Sequence, residues 1–166
     1  MWIQVTSIKS SRANLLACLV VAILLLPFAV KAQGTATQSA AVDDSKVRPP
    51  ITRDDLQIVK RAREILDSPS KWNRADNREC PAGAKTFSLY CALQMATNEV
   101  SGKSDHRGAA LQEARFVIDE IAADRNHNHR LMDYNNDPRT TFADIQEVFR
   151  ITESLIALRL RANASK

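Results

Sequence analysis

Between residues 51 and 166, apolar side chains recur at a spacing close to 3.6 in four stretches, and no strictly alternating run bounded by turn signals competes with them. That period gives each stretch one apolar stripe and predicts an all-α fold, a compact bundle of about four helices. The first helix opens at Thr52, with Asp55 three residues on as an acidic capping box. Leu56, Val59, Ala62, Ile65 and Leu66 form its stripe, and Asp67-Ser68-Pro69 stops it. The second runs from about Ser88 to Val100, and Gly102 stands where a C-terminal glycine belongs. The third begins near Asp105 and buries Ala110, Ala114, Val117, Ile118, Ile121 and Ala122, leaving Glu113, Arg115, Glu120 and Asp124 to face water. Thr141 and Asp144 cap the fourth, whose stripe of Phe142, Ile145, Val148, Phe149, Thr152, Leu155 and Ile156 is long enough for a central helix. Long connections separate the first helix from the second and the third from the fourth.

Upstream of the bundle the chain changes character. Met1 to Arg12 is polar and carries Lys9 and Arg12, and Ala13 to Val30 is almost wholly apolar, the basic and hydrophobic regions of an export signal. Pro27 and the ending Val30-Lys31-Ala32 favour cleavage after Ala32 over retention as a membrane anchor, although a run of about 18 apolar residues stands at the lower limit for spanning a bilayer. Lipid attachment at Cys18 fits poorly, since the apolar run follows that residue. Residues 33–50 are rich in Ala, Ser, Thr, Asp and Gln, end in Pro49-Pro50, and read as a disordered linker. The helical domain then covers 51–160, with a short disordered tail over 161–166. A length of 166 residues suits one such domain, and 45% hydrophobic residues exclude a wholly disordered chain.

The formal charge of +4 belongs mostly to the signal. Three of the 23 basic residues and none of the 19 acidic ones fall in the first 32 positions, so the remainder carries +1. No net field favours nucleic acid or, once the signal is cut, a membrane. Export to the periplasm or beyond brings Cys80 and Cys91 into an oxidising compartment, where they are expected to form a disulfide closing a loop of about a dozen residues. A redox pair is the weaker reading, because the C-x-x-C spacing is absent. Trp72, in the same polar loop, is expected to pack beneath it and cap the open end of the bundle.

The most unusual segment runs from Asp124 to Pro138 and holds two of the three histidines. Read as a calcium loop, it places Asp124, Asn126 and Asn128 at the first, third and fifth ligand positions. His129 then replaces the turn glycine, and Asn135 replaces the closing glutamate. His127 and His129 offer imidazoles to zinc or copper, with Asp133 or His106 as a further ligand. The competing reading, which the lack of a full ligand set favours, is a solvated connection whose Asn and Asp side chains bond their own backbone. No cofactor is indicated. No catalytic motif appears, so no catalytic residue is assigned, and a nucleophile at Ser88 or Cys91 is a guess. A pocket between Trp72 and the Asn135–Asp137 turn would need the two long loops to converge on one cleft.

Trp72, Tyr90-Cys91-Ala92-Leu93, Asn135-Asn136-Asp137-Pro138 and Thr141-Phe142-Ala143-Asp144-Ile145 together resemble the pattern of a family of small uncharacterised bacterial domains, over Leu56 to Leu158. The resemblance implies a mainly helical domain and no activity. The chain departs from the family in its export signal and in Cys80. The reading that results is an exported helical protein that acts by binding or structure, with an unknown protein or small-molecule partner. Metal binding by the 124–137 turn is the alternative.

Overall fold

Thr52 ends the extended chain, and its N–H and hydroxyl both donate to Asp55 at 2.8 Å, so the polypeptide enters its first helix with the expected carboxylate in place. In this computed structural model residues 47–165 are described, and the expected signal and the linker up to residue 46 lie outside the described residues. Five α-helices follow in order: α1 (Arg53–Ile65), α2 (Leu89–Ser101), α3 (Ala109–Ile121), α4 (Arg130–Asn136) and α5 (Phe142–Ala164). Among the described residues there is no strand, and the fold is all-α. A 3-10 turn at Pro69–Lys71 leads into the first long loop, and a single bridge between Trp72 and Phe87 closes that loop's base.

Both ends of α2 fall within a residue of the expected bounds. Ser88 caps α2 by accepting the Cys91 N–H at 3.1 Å, and Gly102 ends it in the left-handed region at φ 72°. The start of α3 differs from expectation. Asp105 turns its carboxylate onto the Arg107 N–H at 3.0 Å, so the helix begins at Ala109, after a glycine that has no side chain to offer as a cap. Asp55 supplies the missing acceptor, taking the Ala110 N–H at 3.1 Å, and one carboxylate thereby serves the starts of two helices.

α3 packs on α1, α2, α4 and α5, while the long last helix packs chiefly on α1 and α3, so the central place expected of α5 falls to α3. Val59, Leu93, Val117, Ile118, Val148 and Phe149 are fully buried between them. Burial of side chains of this size contributes about 1.5–3 kcal/mol each. α5 continues to Ala164, through the segment read as a tail, with Leu160 still against the core.

Two further features depart from the sequence reading. The connection between α3 and α5 is not merely a turn. Leu131, Tyr134 and Asn135 stand at helical spacing and bury themselves as α4, a fifth helix whose brevity and polar neighbours hid its period. Glu113, assigned to water, is fully buried, held by Arg159 and by Arg48 at 2.6 Å. Arg48 also lies 4.4 Å above the Phe116 ring, and Arg159 donates to the Pro49 carbonyl. The chain just before Ile51 is thus pinned to α3 and α5 by charge that no helical stripe contains.

Candidate functional site

The two long loops meet at Asn135. Its side-chain oxygen accepts the Trp72 indole N–H at 2.9 Å and the Leu89 backbone N–H at 3.0 Å, while its amide donates to the Asn73 carbonyl and to Asn136. Every lone pair and proton of that buried amide has a partner. Asn136 continues the seam, accepting from the Asp76 N–H and donating to the Asp76 carbonyl, both at 2.8 Å. Arg74 lies 4.9 Å above the Trp72 ring and donates to the carbonyls of Asp137, Pro138 and Thr140. Trp72 is half-buried against Phe142 and so packs beneath its loop. Trp72 and Asn135 come together, but as a filled seam in which the two side chains satisfy each other.

Asp137 belongs to the neighbouring ion-pair group. Arg139 bonds its carboxylate by side chain and backbone and, with Arg125 nearby, holds the pKa down to about 2. Tyr134 lies beneath Arg125, and burial pushes its phenol up to about 12.

The open space lies on the other side of α4. A cleft of about 160 Å³ is lined by Arg78, Tyr90, His106, Arg115, His129 and Arg130, with Asn128, Leu131 and Met132 completing it. Each cation comes from a different place: Arg78 from the first long loop, Arg115 from α3, Arg130 from the first turn of α4. Arg130 is paired with Asp119 at 2.6 Å. Arg115 donates to the Gln112 side chain and the His106 carbonyl, and among the described residues no carboxylate pairs with it. Burial, and then the charge of Arg130, lower its pKa. Arg78 also has no carboxylate partner among the described residues. It adopts φ 64°, a left-handed conformation rare for a residue with a side chain, with its N–H on the Asp76 carboxylate at 2.7 Å. Two residues on, the Cys80–Cys91 disulfide (S–S 2.07 Å) ties this loop to the first turn of α2, where Tyr90 lines the same cleft.

The residues proposed for metal do not gather. Asp124 is exposed and pairs with Arg139 at 3.2 Å, and Asn126 is exposed. His127 turns inward, its ring edge-on to Tyr134 with Nε2 buried and unpartnered, while His129 lines the cleft. Asp133 accepts the His129 backbone N–H at 2.8 Å. Among the described residues, no three of His, Cys, Asp and Glu come close enough to hold a metal ion. The sequence reading missed Arg78, Tyr90, Arg115 and Arg130. Three guanidinium groups scattered over 53 positions of chain carry no local spacing signal, and only the packing of α3 on α4 and the tying of the first long loop to α2 draw them together.

In comparisons with known proteins, residues 50–155 match the sequence model of a family of unknown function (DUF6197). No curated protein and no solved structure matches the chain.

Proposed function

The chain belongs to the DUF6197 family of unknown function, and from that premise we propose that it is an exported protein that acts by binding a small molecule in the cleft between α2, α3 and α4. One observation carries the reading: Arg115 is partly buried in an open cleft beside two other arginines without a carboxylate of its own. Removing a charge from water is costly unless something compensates it, and a fold that keeps such a group at a cleft wall suits a ligand that supplies the compensation. Export is supported by the basic and apolar N-terminal pattern. The Cys80–Cys91 disulfide is compatible with an oxidising compartment, and among the described residues no helix is long and apolar enough to cross a membrane.

The test is a thermal-shift survey of the purified, oxidised chain against metabolite-sized compounds, anionic, cationic and neutral, beside the Arg115→Gln variant. A ligand that binds only the folded state raises its stability by about 2.7 kcal/mol at a hundredfold excess over Kd. The expected result is a rise in the midpoint with some compounds that is lost in the variant. No shift with any compound, or shifts that persist in Arg115→Gln, would overturn the reading.

A further inference from the structure

We infer that the cleft between α2, α3 and α4 is a site for a phosphate dianion, inorganic or as a phosphomonoester, held by Arg78, Arg115 and Arg130 with Tyr90 as a neutral donor. This rests on the binding reading above and adds the chemical class of the ligand.

The charge balance comes first. Three guanidinium groups line the cleft, and Asp119, 2.6 Å from Arg130, neutralises one of them. Among the described residues no carboxylate pairs with Arg78 or Arg115, so two positive charges remain there, and a phosphate monoester carries about −1.5 to −2 near pH 7. A monocarboxylate would leave one charge uncompensated. The second argument is the direction of the donors. One guanidinium fork satisfies both oxygens of a planar carboxylate, so a carboxylate site needs a single arginine. Here Arg78, Tyr90, Arg115 and Arg130 enter from four separate segments, an arrangement suited to an ion with oxygens on several sides. The third is size. About 160 Å³, open on one side, admits a small ion with some of its water and lets an esterified group extend outward.

The loop bearing Arg78 supports the same reading. Its left-handed residue costs about 1 kcal/mol or more, the kind of local strain that persists where surrounding structure enforces it. Two things enforce it: the Asp76 carboxylate on the Arg78 N–H and the disulfide at Cys80. Both fix the backbone position from which Arg78 reaches the cleft.

The experiment is a titration of the oxidised, ¹⁵N-labelled chain with inorganic phosphate, glycerol phosphate, sulfate and acetate at constant ionic strength in chloride. It follows the amides of Tyr90, His106 and Leu131 together with the thermal midpoint. Saturable shifts of these amides with phosphate or glycerol phosphate are expected, and at least about tenfold weaker binding in Arg115→Gln and in Arg78→Gln. Arg61→Gln, on the far α1–α2 surface, is expected to bind as the wild type does. Arg78→Gln, in an exposed loop, keeps the test decisive if Arg115→Gln does not fold. A preference for glycerol phosphate assigns the group to an esterified ligand, and equal binding assigns it to the free ion. Saturable binding of acetate but of neither phosphate overturns this inference and leaves the binding reading standing. No saturable shift with any anion also overturns it, and the binding reading then stands or falls on the neutral and cationic compounds of the survey.

Discussion

Replacing the fully buried Asn135 by alanine strands the half-buried Trp72 indole N–H, the buried Leu89 backbone N–H and the half-buried Asn73 carbonyl together. Each buried group left without a partner costs about 1–3 kcal/mol, so Asn135→Ala is expected to lose about 3–5 kcal/mol, measured by urea unfolding with Trp fluorescence as the probe. Asp137 contributes in another way. Arg139 bonds its carboxyl and holds the pKa down to about 2, below the ordinary 3.8, so its contribution is present above about pH 4 and is lost as the pH falls through the folded value. The urea midpoint of the wild type should therefore drop more steeply between pH 4 and pH 2 than that of Asp137→Asn. Asn135 and Asp137 were both legible as landmarks in the sequence, but their roles were not. A run of Asn and Asp reads as turn chemistry whether its side chains bond their own backbone or a tryptophan 63 positions away.

At the scale of elements, α1, α2 and α5 were legible because their caps and stripes are local: Thr52 with Asp55, Ser88 with Gly102, Thr141 with Asp144. α4 was not, since seven residues hold only two turns and two of its three buried side chains are polar in part. The loop between α1 and α2 has little regular structure and is held by the Asn135 seam and by the disulfide. Closing a loop of this size stabilises a fold by about 2–3 kcal/mol through the unfolded chain. The paired Cys80→Ser, Cys91→Ser variant is expected to lose about that much stability, and so to unfold at a lower temperature, while keeping its helical circular dichroism, because the helices do not depend on the bridge for their own hydrogen bonds.

At the scale of the whole molecule, the all-α architecture followed from one period in the sequence, and the cationic cleft followed from nothing local. A net charge near zero over residues 33–166 conceals it, because, apart from Asp119 on Arg130, the acids that balance these arginines in the total stand elsewhere on the surface. Glu113 escaped for a related reason: a glutamate on a helix reads as a solvated face until Arg48 and Arg159 are brought to it from outside α3. The carboxylate of Asp55 links the two ends of this account. α3 has a glycine before its first residue and borrows its cap from α1, so its opening turn has no anchor of its own until α1 is docked beside it. Opening the first turn of α1 therefore takes the acceptor away from the first turn of α3, and the start of the helix that carries Arg115 is tied to a carboxylate 55 positions earlier in the sequence.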